Sequence, residues 1–257
     1  MILSGSLTSD VAVNGGILAA IGTPVTTGSI AINSGGGFEV QINGVAPGTQ
    51  YGQVNIAGGV SLSGAIEINA VAGLAEGSTF TILNQTGSGA VSGIFAGKAE
   101  GSFFNASGYT WIISYAGGSG NDVVLTIANA RQSWRYQYFG TIANSGNAAD
   151  SYDANGDGEP NLMEFATGQD PHAATLTRTT LVTNGTTLEF TYTRSKAALA
   201  DGVIFNAKYS DSLAPSSWSS AAVTEQILSD SSTEQTVRAS VPAGSGKRFL
   251  QLQVTTP

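Results

Sequence analysis

The chain has 257 residues, among them 34 glycines and no cysteine, with 11% charged residues and a net charge of −8. That balance offers no basic footprint for nucleic acid and no polybasic or amphipathic stretch for a membrane surface. The missing cysteines remove disulfides and thiolate metal centres, while 41% apolar residues can still fill a sizeable core. The remainder, rich in Gly, Ser, Thr and Asn, fits a β-rich extracellular protein. Met1, Ile2 and Leu3 run straight into Ser and Gly rather than a basic segment and a long apolar run. No apolar stretch approaches the roughly 20 residues that span a bilayer. The expectation is an exported chain that forms the C-terminal piece of something longer.

Residues 1–128 hold six acids and one base, Lys98. Short segments of alternating apolar and polar residues recur at 10–13, 16–21, 29–33, 38–42, 51–56, 60–62, 65–69, 79–83, 109–115 and 122–127. Gly, Ser and Asn separate them. Period two over about five residues is the signature of a half-buried strand. FEVQI (38–42), YGQVNI (51–56) and AIEIN (65–69) resemble one another, so the expected architecture is a parallel β-solenoid in which each coil stacks on the last. The period is irregular, and a sandwich of the same strands stays open. In a solenoid Val40, Ile42, Val54, Ile56, Ile66 and Ile68 stack inside, with Phe38 on the same face as a terminal plug.

Residues 129–171 change character. RQSWRYQYFG (131–140) sets Trp134 and Tyr138 four apart beside Arg131 and Arg135, which predicts a short helix stopped by Gly140. A second short helix is predicted over 161–167, with Leu162 and Phe165 on one face and Gly168 as its stop. Between them lies DANGDGEPNLME (153–164). An acid or amide stands at positions one, three and five, a glycine at six and a glutamate at twelve. That is the spacing of a calcium loop. Calcium is a hard cation that takes six to eight oxygens. Asp153, Asn155 and Asp157 would offer side-chain oxygens, Glu159 its backbone carbonyl, Asn161 an oxygen directly or through water, and Glu164 both carboxylate oxygens. Two features argue for a staple rather than a switch. No helix enters the loop, and Pro160 at position eight has no N–H to lend to a partner loop. On this reading Ca²⁺ fixes the angle between two β domains.

Residues 172–257 alternate again. Asn184-Gly185 predicts a type I′ hairpin turn with both residues at positive φ. Further strands are expected at 203–209, 221–228, 235–241 and 248–254, which together suggest a small antiparallel β-sandwich. In the last strand Leu250, Leu252 and Val254 face the core. A strand this regular must be paired or it becomes an aggregation edge.

Other chemistry is sparse. GGSGNDVVL (117–125) fits one copy of a calcium-loaded β-roll nonapeptide, but such a site needs a second turn, and the simpler reading is a Gly-rich turn. Glu39 and Glu67 occupy like positions in like strands and form the one candidate carboxylate pair for polysaccharide cleavage, although strict alternation also describes an ordinary solvent face. His172, the single histidine, reads as a boundary residue after Pro171. No nucleophile, phosphate or zinc motif stands in context, so no catalytic residue and no enzyme activity is expected. Trp111, Trp134 and Trp218 could make a sugar-stacking platform; core packing is the commoner use.

The run YGQVNIAGGVSLSGAIEINAVAGLAEGSTFTILN with VSGIFAG and WIISYAGGSGNDVVLTI resembles the C-terminal end of bacterial autotransporter-associated β-strand repeat proteins, over about residues 1–128. The stretch from Trp134 to Pro171 resembles the linker module that follows such repeats in Verrucomicrobia-like bacteria. Its loop is similar to those of dockerin and thrombospondin type 3 modules. The resemblance implies metal ligands at Asp153, Asn155, Asp157, Asn161 and Glu164, with Asn155 standing where Asp is commoner. The last 85 residues are similar to the C-terminal β-sandwich of the same proteins. Taken together, the expectation is three domains: a β-solenoid at 1–128, a helical linker with a calcium loop at 129–171 and a β-sandwich at 172–257. The expected role is a non-enzymatic extracellular or cell-surface scaffold, adhesin or self-assembling fibre subunit that associates through strand or solenoid-end contacts. A glycan-binding module and, further off, a polysaccharide-cleaving β-helix are the alternatives.

Overall fold

The computed structural model describes residues 2–3, 9–21, 25–244 and 246–256, with backbone alone at 2–3 and 25–27. Most of the N-terminal octapeptide read for an export signal therefore lies outside the described residues. The chain is mostly β, in several sheets, and divides into two compact units, Met1–Asn129 and Ala130–Pro257.

In the first unit β1 (Ile2–Leu3) precedes three similar passes. The first gives β2 (Val11–Val13), β3 (Gly16–Ala20) and β4 (Val25–Thr27). The second gives β5 (Ile30–Ile32), β6 (Gly36–Ile42) and β7 (Val54–Ile56). The third gives β8 (Val60–Leu62), β9 (Ala65–Ala70) and β10 (Thr79–Gln85). Then follow β11 (Ser92–Gly93), β12 (Phe103–Ala106), β13 (Tyr109–Gly117) and β14 (Asp122–Ile127). Like strands of successive passes pair in parallel: Val11, Ile30 and Val60 share one level, Ala20, Val40 and Ile68 another, and Val25, Val54 and Leu83 a third. The sheets are β1-β3-β6-β9, β2-β5-β8-β11 and β4-β7-β10, and the last continues through β14, β13 and β12 as antiparallel strands.

The alternation read from the sequence is what the packing uses. Ile30, Ile32, Val40, Ile42, Val54, Ile56, Val60 and Leu62 are buried while their neighbours in the strands face outward. Each such side chain contributes about 1.5–3 kcal/mol on leaving water. Ile68 is buried and Ile66 is half-buried against the same cluster. Phe38 corrects the terminal-plug expectation: it sits in the middle strand of the series, fully buried, with its ring 6.2 Å from Phe95. Outside the core, side-chain amides repeat between passes, Asn33 Nδ2 donating to Asn14 Oδ1 at 2.6 Å and Asn84 Nδ2 to Asn55 Oδ1 at 2.7 Å. Gly52 admits no side chain, because a Cβ there would lie 1.8 Å from the Ala20 carbonyl oxygen.

The second unit begins with α1 (Ala130–Phe139), a 3₁₀ turn (Gly146–Ala148) and α2 (Asn161–Thr167). Both predicted glycine stops hold the left-handed conformation, Gly140 at φ +66° and Gly168 at φ +78°. Gln169 N then closes on Glu164 O at 2.8 Å, a Schellman-type end. The strands are β15 (Thr180–Asn184), β16 (Thr187–Ser195), β17 (Ile204–Ser210), β18 (Thr224–Asp230), β19 (Glu234–Pro242) and β20 (Phe249–Thr255), with α3 (Lys196–Ala200) between β16 and β17. They form the antiparallel sheets β15-β16-β19-β18 and β17-β20. Phe190, Tyr192, Val237 and Ala239 of the first share a cluster with Ala207 and Leu252 of the second, and Leu250 and Val254 pack against it.

The hairpin turn is displaced by one residue from the expected Asn184-Gly185. Asn184 pairs with Thr187, so Gly185 and Thr186 form the loop, and only Gly185 has positive φ, at +59°. One positive φ at the first central position is the II′ pattern, which needs glycine there and tolerates threonine next. The segment 130–171 packs on the C-terminal strands: Phe165, Ala166, Ala198 and Val203 cluster with Ala130, Trp134, Phe205 and Val254. Arg135 is buried and meets Asp150 at 2.5 Å, while Arg131 bridges Asp150 at 3.2 Å and Asp201 at 3.1 Å.

Candidate metal centre

The loop at 153–164 winds on its own side chains. Asp153 accepts from Gly156 N through Oδ1 at 2.7 Å and from Gly158 N through Oδ2 at 2.8 Å. Asn155 Oδ1 accepts from Asp157 N, and Asp157 Oδ1 from Glu159 N, both at 2.9 Å. These short turns need reversals that only glycine takes without strain, and Gly156 and Gly158 have φ +77° and +96°. Pro160 then caps α2 with extended backbone. The helix start delivers Asn161 and Glu164 inward, where both are buried.

Three buried oxygens of this loop have no hydrogen-bond donor among the described residues: Asp157 Oδ2, Asn161 Oδ1 and Glu164 Oε2. Each belongs to an expected ligand. A buried polar atom left without a partner costs about 1–3 kcal/mol, and more when charged. Asn161 is held in that pose because its Nδ2 donates to Asn147 O and Ala149 O at 2.9 and 2.8 Å. Glu164 Oε1 accepts from Asn155 Nδ2 at 2.9 Å. Burial, then the carboxylates of Asp157 and Asp153, push the Glu164 carboxyl up from 4.5 to about 7; the Asn155 hydrogen bond pulls the other way, and Glu159 adds a smaller push. Such a group wants either a proton or a cation.

The remaining expected ligands are placed differently. Both oxygens of Asp153 serve backbone amides, and the side chain of Glu159 turns away to accept from Thr177 N, Thr177 Oγ1 and Gln169 Nε2 at 2.8–2.9 Å. The carbonyl of Glu159 was the expected ligand; the carboxylate's grip on 167–177 has no signature in the local sequence. Among the described residues no three His, Cys, Asp or Glu side chains gather into a metal-holding group. The donor set here instead mixes carboxylates with amides. No helix leads directly into the loop: α1 ends at Phe139, and the approaching chain is fixed by Asn161 N donating to Tyr152 O at 2.8 Å and Leu162 N to Asp150 O at 3.0 Å. With Asn155 Nδ2 also reaching Ala173 O at 2.8 Å, these contacts stay within the second unit and tie the loop to its own flanks.

The other candidates disperse. Glu39 and Glu67 are opposite one another in parallel register, and Glu39 Oε1 accepts from Asn69 Nδ2 at 2.6 Å on the outer face. In GGSGNDVVL, Asp122 Oδ1 accepts from Gln85 N at 2.8 Å and Asn121 Nδ2 donates to Gly87 O and Gly89 O, so these side chains fasten a neighbouring turn. Trp111 is fully buried, its indole N–H on Ala106 O, and cannot offer a platform. Trp134 is half-buried among Tyr138, Phe139 and Phe165. His172, read as a boundary residue, lays its exposed ring 5.2 Å from that of Phe139. No family model, curated protein or solved structure matches the chain.

Proposed function

We propose that residues 153–164 bind Ca²⁺ as a permanent stabiliser, in a non-catalytic structural protein of the cell exterior that associates with itself. The carrying observation is the set of three uncompensated buried oxygens on Asp157, Asn161 and Glu164. A bound cation supplies the positive charge that this acidic loop lacks. Glu164 brings its carboxylate from the first turn of α2, Asp157 and Asn161 aim oxygens into the same loop, and Asp153, Asn155 and the Glu159 carbonyl complete an oxygen set of the size calcium takes.

The wider reading is a parallel β-solenoid followed by an antiparallel two-sheet sandwich. Constant parallel register between like strands of successive passes supports the first part. The shared cluster of the two C-terminal sheets supports the second. A scaffold role agrees with the low charge, the resemblance to surface-exposed repeat proteins and the exposed edge strands β15 and β18.

Calorimetric titration of the EDTA-stripped protein with CaCl₂ tests the metal reading. One ion per chain is expected, with a rise in unfolding temperature that corresponds to about 2.7 kcal/mol when free calcium is 100-fold above Kd. Glu164→Ala and Asp157→Ala should each remove most of that gain. Titration heats indistinguishable from dilution would sink the proposal.

A further inference from the structure

A pocket of about 320 Å³ opens in the second unit among Phe139, Asn147, Tyr152, Ala154 and His172. We propose that it binds one neutral pyranose ring, the terminal sugar of a glycan.

The walls are aromatic. The rings of Phe139 and His172 stand 5.2 Å apart at 58°, and Tyr152 is 41% exposed. A pyranose presents one face of C–H groups, which an aromatic π-face attracts, and a rim of hydroxyls that demand hydrogen bonds. The polar complement is at hand. The Asn147 side chain is exposed, and neither its amide nor the Tyr152 hydroxyl bonds to a described residue, so a donor–acceptor amide and a phenol are free for the rim. The volume lies at the lower end of the roughly 300–1,000 Å³ range of small-ligand sites, which suits a single ring.

Charge selects among sugars. Asp153 lies between Tyr152 and Ala154 in the chain, and Asp170 Oδ1 holds His172 N at 2.9 Å. The chain carries −8 overall, and residues 136–177 hold six acids and no lysine or arginine. A uronic or sialic acid meets repulsion here; a neutral hexose or N-acetylhexosamine does not.

The walls are also held before any ligand arrives. Tyr152 N donates to Ala149 O at 3.0 Å and Tyr152 O accepts from Asn161 N at 2.8 Å. Phe139 rests 5.7 Å from the Trp134 ring. Preorganised walls spare the ordering cost of binding. Because the backbone of Tyr152, not its ring, makes those hydrogen bonds, the ring can be removed without unpicking the loop.

Saturation-transfer NMR on the full chain, with the methyl glycosides of glucose, galactose and N-acetylglucosamine and with methyl glucuronide as the acidic comparator, tests the assignment. At least one neutral glycoside should bind at millimolar concentration, and more tightly than the glucuronide. Tyr152→Ala should weaken it about three- to tenfold, the worth of one stacked ring. Tyr152→Phe should keep the stacking and lose less, and His172→Ala should weaken it again. Silence from every neutral glycoside, or affinity untouched by both Tyr152→Ala and His172→Ala, overturns the proposal. The same variants are titrated with CaCl₂, and Tyr152→Ala should bind calcium like the parent. Glycoside binding without calcium binding would bring down the metal reading alone, and the reverse would bring down the sugar site alone.

Discussion

Glu164 concentrates the chemistry of the second unit in one carboxyl. Its ordinary value of 4.5 is raised to about 7 in the folded chain, first by burial and then by Asp157 and Asp153. A raised folded value means that the proton is held more tightly in the native than in the unfolded state. The metal-free protein therefore has its full share of stability from this group below about pH 4.5. It loses that share as pH rises, because the unfolded chain ionises first, and the loss levels off above about 7. Asp211 and Asp230, held low by Arg248 and Lys196, act in the opposite sense, but at pH values below their ordinary 3.8. Urea unfolding in EDTA should thus give a lower midpoint at pH 8 than at pH 5, with the difference removed in Glu164→Gln. An equal midpoint at the two pH values would count against the buried, uncompensated carboxyl. The loop that carries Glu164 was legible in the sequence because its acids, amides and glycines stand at the fixed offsets of a calcium-loop pattern. The sugar-sized pocket was not, since Phe139, Tyr152 and His172 meet only when 140–152 folds back and 167–177 is tied down by Glu159.

Among elements, the strands read from alternation were found where both faces differ in burial, as in β5, β7 and β8. Those overlooked, β1, β4, β11 and β12, are two to four residues long, and such runs carry too few positions to show a period. Helices α1 and α2 were legible from their glycine stops, whereas the five-residue α3 was not expected. The hairpin slipped by one residue because Asn-Gly predicts a pair of positive φ angles, whereas sheet register with β16 put Asn184 inside the strand. That hairpin leaves β15 as an outer strand, exposed along its whole length, with Leu181 and Val182 each more than half exposed and exposed Arg178 just before it. The opposite edge, β18, carries exposed Ile227 and Leu228 beside Glu225 and Asp230, and a bulge interrupts its register at 227–229. A neighbouring copy that sets β15 against β18 would continue the antiparallel order and bring a cation towards acids. Sedimentation of the parent should show concentration-dependent association that Val182→Lys abolishes, while circular dichroism stays unchanged. A charged residue on an edge strand is how sheets resist such addition. Equal association by the variant would move the contact elsewhere.

For the whole molecule, the two units rest on separate hydrophobic clusters, and every hydrogen bond described for the loop at 153–164 stays in the second. Those hydrogen bonds tie the loop to its own flanks, from Asn147 to Thr177. Limited proteolysis with EDTA should open new cleavage between 140 and 177 and leave 1–129 uncut. Cleavage that is the same with and without calcium would deny the loop this holding role. The parallel architecture of the first unit was readable in outline because like strands repeat like residues. Its irregular spacing, which kept a sandwich open, has a physical cause in the loops.

Ile30 follows its register partner Val11 by 19 residues, whereas Val60 follows Ile30 by 30. The strands do not register this difference; the extra length is spent at 43–53, where Val45 is 60% exposed and the chain returns to the sheet at Tyr51. Length at that corner is decoupled from the lattice of the sheets. The corner is therefore a natural grafting point, where a foreign peptide can be displayed while the parallel strands on either side keep their registry.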